Sequence, residues 1–310
     1  MIVTVTMNPA IDKTIDVGSL QVGKLNRIQR VELDAGGKGI NVSKTIQALG
    51  GTSIATGFIG GNAGQTIVNV LQGLNITTDF VLVNGEVRTN TKVFEENGNL
   101  TELNEPGFVI SKQELDALLL KLEGYADENT LFILAGSIPK GVPTDIYGKI
   151  TELVHGKGAK VLMDADGELF KKALPAIPDM IKPNKDELAE YASIEGGATE
   201  EEVLKVAKSF LDTGIGTIAI SMGGNGAMMM QGEKQVRCPV LSVKIHSTVG
   251  AGDAMVAAMA YAFEEKLEFE EMVKLSLATS AGAVTTIGTK PPTREVVEEL
   301  KKQVVIEEIR

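Results

Sequence analysis

Short apolar runs rich in β-branched residues alternate with segments of helical period along almost the whole chain. Ile2–Thr6, Ser53–Gly57, Thr130–Leu134, Lys160–Met163, Met180–Lys182 and Thr217–Ser221 read as strands. Helical patterns occupy Ile40–Leu49, Gly64–Leu74, Lys112–Glu123, Pro143–His155, Lys185–Ala192 and Glu200–Asp212. Three more, Asp253–Glu265, Glu268–Val284 and Thr293–Val304, close the chain. A strand that is apolar on both sides must be covered on both faces, and repeated strand-helix units favour parallel pairing. The expectation is an α/β fold: a mainly parallel sheet between two layers of helices.

Two stretches break this rhythm. Residues 13–33 and 88–103 are polar, rich in β-formers and without helical period. Thr91–Glu95 and Leu100–Leu103, joined by Glu96-Asn97-Gly98-Asn99, read as a hairpin. Both stretches are expected to form a small β lid inserted in one domain spanning 1–310; the alternative is edge strands that continue the main sheet.

Composition narrows the partners. The formal charge of −11 over 310 residues disfavours nucleic acid and anionic membranes. No signal peptide or membrane span is expected, and the lone Cys238 suits a reducing cytoplasm. His155 and His246, the only histidines, have no neighbour at zinc-ligand spacing.

Several loops at strand ends carry residues suited to chemistry. Ser247-Thr248-Val249-Gly250-Ala251-Gly252-Asp253 leads into a small apolar helix. Its glycines free backbone N–H groups to approach an anion at a positive helix end. Asp253 there reads either as a helix cap or as a base that removes a proton beside that anion. Asp34–Ser43 is a second glycine-rich helix entry, with Lys38 as its charge and Asn41 in the first turn; a plain glycine turn is the alternative. It is not a Walker A loop, because Gly39 follows Lys38.

Asn8–Asp12 leaves the first strand where open α/β sheets place ligands, and Asp12 could accept from sugar hydroxyls or serve as a turn residue. Asn184 and Glu187 fit a capping box, or a magnesium site acting through water. In Ser221–Met228, Asn225-Gly226 is a favoured hairpin turn and Gly223-Gly224 leaves room for a nucleotide. Met228-Met229-Met230 reads as core. Gly57–Gly64 follows a strand but misses the dinucleotide spacing, and tight packing explains it.

The runs Ala35–Ser43 and Ser247–Asp253, with their order and separation, resemble the two signatures of the PfkB (ribokinase-like) carbohydrate kinases, over essentially the whole chain. That resemblance implies a ribokinase-like three-layer core with a β lid, and phosphorylation of a sugar hydroxyl using ATP and Mg²⁺. It implies Asp253 as base and Gly250, Ala251 and Gly252 as the anion hole. Thr248 and Val249 join them, with Asn184, Ser221, Gly223 and Gly226 on the nucleotide side and Glu187 and Asn184 near Mg²⁺.

Thr6–Asp12, Gly37-Lys38-Gly39, Arg88-Thr89-Asn90 and Ala135–Pro139, which includes Ser137, resemble the branch that acts on phosphosugars. A substrate already bearing phosphate needs counter-charge, which Lys38, Arg88 and Arg27 could supply, while Asp12, Gly37 and Asn41 hold the sugar. Arg88–Val93 with Asn104–Gly107 most resembles members acting on fructose 1-phosphate at O6; those acting on tagatose 6-phosphate or fructose 6-phosphate are close. A nicotinamide dehydrogenase and a non-catalytic sugar-phosphate sensor are the rivals from other classes. An exposed lid also offers edges through which two copies could pair.

Overall fold

The computed structural model describes residues 1–194 and 196–309. Edge to edge, the large sheet runs Glu307–Glu308, Lys234–Cys238, Ala227–Gln231, Thr217–Ser221, Met180–Ile181, Lys160–Asp164, Leu131–Ala135, Ile2–Thr6, Ile54–Ile59 and Thr77–Thr78, with Val81–Leu82 also beside Ile54–Ile59. Pairing is parallel from Thr217–Ser221 through to Thr77–Thr78 and antiparallel beyond Thr217–Ser221.

The two central strands, Ile2–Thr6 and Leu131–Ala135, are buried at every position. Their side chains alternate between the two faces, as the pleat requires. Val3, Val5, Phe132 and Leu134 join a core under helices that include Gly61–Gly73, Lys112–Tyr125 and Ile146–His155. Ile2, Leu131 and Ile133 join a second core under Lys38–Ala48, Ala251–Glu264 and Phe269–Ala283. The result is a ribokinase-like three-layer α/β fold, with ten α-helices among the described residues. Helix Ala251–Glu264 is apolar nearly all round because it lies inside, between the sheet and its neighbouring helices.

The glycine within the strand Ile54–Ile59 has a packing cause. Gly57 has φ +127°, and a Cβ there would collide with the carbonyl oxygen of Thr6 on the adjacent strand. Met228, Met229 and Met230 are buried. Among the described residues no helix is long and apolar enough to cross a membrane. Helix Gly167–Ala173 is an element that periodicity does not reveal, being only 7 residues long.

A second sheet has four strands in the order Arg30–Gly36, Ala10–Val17, Arg88–Glu95, Leu100–Asn104. Its first strands reach closer to the core than residues 13–33, and most of 18–29 is loop. Register places Asp34, Asp12, Asn90 and Asn104 in one row across all four strands. With period two, Lys92 and Glu102 share that face.

Candidate active site

The carboxyl ends of the parallel strands open into a cleft of about 790 Å³, roofed by the polar face of the small sheet. At one wall, helix Ala251–Glu264 begins. Its cap is Gly250, in the left-handed region at φ 86°, with no side-chain cap bond. Glycine alone holds that conformation without strain. Asp253 is therefore not the cap. It is the third helical residue, and its Oδ2 accepts from Asn41 Nδ2 at 2.8 Å.

Asp253 is 8% exposed and lines the cleft. Burial, reinforced by the Asp164 carboxylate and opposed by Asn41, Lys38 and Lys182, pushes it up to about 6. That lies well above the ordinary carboxyl value of about 3.9. A carboxylate with that proton affinity is ionised at neutral pH yet still accepts a proton well. The Ala251 N–H already donates to the Thr248 carbonyl at 3.5 Å; the Gly252 N–H, in the unpaired first turn of the helix, presents a donor beside Asp253.

Close to this helix entrance, Asp164 ends the strand Lys160–Asp164 and is 1% exposed. Its Oδ1 lies 3.4 Å from Lys38 Nζ and 3.3 Å from Lys182 Nζ. Burial would raise this carboxyl, but the two ammoniums outweigh that and hold it below its usual range. Burial likewise would lower Lys38, yet Asp164 first, then Asp253, Glu187 and Asp166, hold it above its ordinary value. Sequence reasoning missed both Asp164 and Lys182. The available signal was a lone acid, and a lone base, each just where a parallel strand ends.

On the small sheet, Asn90 Nδ2 donates to Asp12 Oδ1 at 3.3 Å, and Lys92 Nζ is 3.5 Å from Asp12 Oδ2. Arg88 donates to the Asn8 carbonyl at 3.2 Å, the Glu105 carbonyl at 3.3 Å and Ser137 Oγ at 3.5 Å. Asn41 Oδ1, Asn90 Oδ1 and Arg88 Nε are buried without a partner. Such orphans suit a polar ligand. The structure thus brings Asp12, Gly37, Lys38, Asn41 and Arg88 to one cleft, with Ser137 against Arg88. Arg27 is not among them; it is exposed in the loop between the first two strands of the small sheet.

At the far end, Asn184 caps helix Lys185–Tyr191 in a full capping box. Glu187 N donates to Asn184 Oδ1 at 2.8 Å, and Asn184 N donates to Glu187 Oε2 at 2.7 Å. Both residues also line the cleft, and burial raises the Glu187 carboxyl. Asn225-Gly226 is not a two-residue hairpin turn. Ser221 pairs with Ala227, which puts residues 222–226 in the loop, with a 3₁₀ turn at Gly223–Asn225. A Cβ on Gly223 or Gly224 would meet nothing within 4 Å, so that loop is open to a ligand. Val240, Val243 and Ile245 add an apolar wall, and Thr248 and Val249 continue the lining towards Asp253. Among the described residues no three acidic, His or Cys side chains are preassembled for a metal. Isolated oxygen donors such as Glu187 fit Mg²⁺, which keeps most of its water.

The profile of the pfkB family carbohydrate kinases matches residues 5–295. This chain belongs to that family. It is 35% identical over 306 residues to the 1-phosphofructokinase of Bacillus subtilis, covering 99% of both chains. It is 32% identical to that of Vibrio cholerae, covering 98% of this chain and 96% of the relative. The crystal structure of phosphofructokinase-2 from Escherichia coli with substrates and products superimposes with a TM-score of 0.92 at 26% identity, covering 97% and 98% of the two chains. Carbohydrate kinases of this family are phosphotransferases with an alcohol acceptor; they use ATP, with Mg²⁺ as the usual metal.

Proposed function

We propose that this pfkB-family enzyme transfers the γ-phosphoryl group of ATP to O6 of fructose 1-phosphate. The observation that carries the reading is a cleft with a buried, proton-avid Asp253 at a helix entrance and a half-buried Arg88 under the small sheet. The 1-phosphofructokinases of Bacillus subtilis and Vibrio cholerae support the choice of sugar.

Asp12 and Asn41 orient the hydroxyls, and Arg88 with Ser137 holds the resident phosphate. Asp253 takes the O6 proton as O6 attacks phosphorus in line and the bond to the ADP oxygen breaks. N–H groups of Gly250–Gly252 and the Lys38 and Lys182 ammoniums meet the charge on the group in transit. The sequence grouped Lys38 with Arg88 as one counter-charge; its ion pair with Asp164 and the nearby Asp253 charge support a role for Lys38 at the reacting end. When bound, Mg²⁺ would neutralise nucleotide phosphate charge, and Glu187 and Asn184 are the residues that would hold it through water. The small sheet acts as the lid that keeps water from the reacting atoms.

Turnover with ATP of fructose 1-phosphate, tagatose 6-phosphate, fructose 6-phosphate, free fructose and ribose tests the reading. Fructose 1-phosphate is expected to give the highest kcat/KM. A better rate with either 6-phosphate reverses the sugar, and binding without turnover makes the protein a sensor.

The outer face of the lid supports a homodimer. Val31, Leu33 and Leu103 alternate with the cleft-facing residues and are 48%, 65% and 60% exposed. Leu33→Lys with Leu103→Lys is expected to shift a concentration-dependent dimer to monomer in sedimentation. Unchanged assembly would place the contact elsewhere.

A further inference from the structure

The cleft holds two lysines within reach of two buried carboxylates, and the lysines are divided unevenly between them. Both pair with one oxygen of Asp164, at 3.4 and 3.3 Å. Among the described residues Asp253 forms no ion pair, and its hydrogen bond comes from the neutral Asn41 amide. Lys182 is shielded from solvent, its side chain being 5% exposed. Its Nζ lies 3.4 Å from the point a Cβ on Gly252 would occupy, beside the turn that carries Asp253.

We propose that Asp164 is a positioning residue that draws Lys38 and Lys182 away from Asp253, so that the base stays free while both ammoniums stay aimed at the phosphoryl path. The inference rests on Asp253 being the base. An Asp tied directly to an ammonium loses proton affinity and with it the capacity to deprotonate a hydroxyl. Two lysines lining the same cleft would do this to Asp253 if nothing else held them. A buried ion-pair cluster adds little stability over an apolar filling of the same volume. A fully buried acid with two lysines is therefore better explained by what it does to the charges around it.

Four charged groups face Asp253 and set the sign of the effect. Lys38 and, at longer range, Lys44 come from helix Lys38–Ala48. Asp164 comes from its strand end, and Lys182 from just past Met180–Ile181. Asp164 raises the proton affinity of Asp253, and Lys38 and Lys182 lower it. Neutralising Asp164 and removing Lys182 therefore move Asp253 in opposite directions.

The test compares pH profiles of kcat/KM for fructose 1-phosphate in the full chain, for wild type, Asp164→Asn and Lys182→Met. The substrate phosphate titrates in the same range, at about 6, and is common to all three, so the displacement between variants is the readout. Asp164→Asn is expected to move the acid-side inflection down by about one unit, the scale on which an adjacent charge moves a carboxyl. Its rate at pH 8 falls about tenfold or more, as a weaker base gives. Lys182→Met is expected to lose rate with the inflection moved up. Profiles that only lose height, with inflections superimposed, overturn the proposal. Should Asp164→Asn fail to fold, as circular dichroism would show, Lys182→Met decides by the same criterion. A wild type without sugar-phosphate turnover, or an Asp253→Asn that keeps it, fails at the base assignment itself, and neither result involves Asp164.

Discussion

Asp253→Asn is expected to lose roughly 10²–10⁴ in kcat while the Kd for sugar phosphate hardly changes. The amide keeps the volume and can still accept from Asn41 Nδ2, which now donates to Asp253 at 2.8 Å. What it cannot do is take a proton. The same variant is expected to be more stable than wild type at pH 8. The folded chain holds this carboxyl at about 6, above its model-compound value of 3.8. A carboxyl raised on folding destabilises the native state once it ionises. The deficit is absent below the unfolded value, grows as pH rises between the two, and is complete above about 6. Full release of that cost is worth up to about 3 kcal/mol. Melting curves at pH 8 and pH 3.5 check it: the gain appears at the first and vanishes at the second. A variant with more than a tenth of wild-type turnover sinks the base assignment, whatever its stability.

Arg88→Met is expected to raise KM for fructose 1-phosphate about 10- to 100-fold, since a hydrogen bond to a charged group contributes about 1.5–3 kcal/mol. Three protein acceptors already fix the guanidinium: the Asn8 and Glu105 carbonyls and Ser137 Oγ. Its desolvation and ordering are thus settled before substrate arrives, which favours tight capture of phosphate. Free fructose carries no phosphate, so any weak turnover of it should be the same in the variant and wild type. Steady-state kinetics with both sugars decide. An unchanged KM with a collapsed kcat would move Arg88 from the resident phosphate to the reacting end.

Much of the fold is legible because strands buried on both faces have little freedom in composition. Ile2–Thr6 and Leu131–Ala135 are apolar enough to announce two covering layers. The loops proposed to meet a ligand are legible for a different reason: glycines and single charges cluster at helix entrances, as in Gly250–Asp253. Asp164 and Lys182 carry no such local mark. Their meaning arises only when neighbouring strands bring them within 3.3 Å. Asn90 is similar, meeting Asp12 from 78 positions away through strand register. The Asn225-Gly226 pair misleads because a short-range turn preference yields to the pairing of Ser221 with Ala227. Arg27 is a charge of suitable sign on an exposed loop, whose place no pattern of the sequence determines.

Asp12, Asn90 and Asn104 sit in one hydrogen-bonded row, and Lys92 is bound to Asp12 on the same face. Four paired strands resist bending, so on the proposed reading the small sheet would tilt as a plate. The groups proposed to read the sugar would then advance or retreat together. Recognising the ligand and sealing the chamber would be a single mechanical event, and a ligand that misfits at one hydroxyl would leave the whole rim ajar.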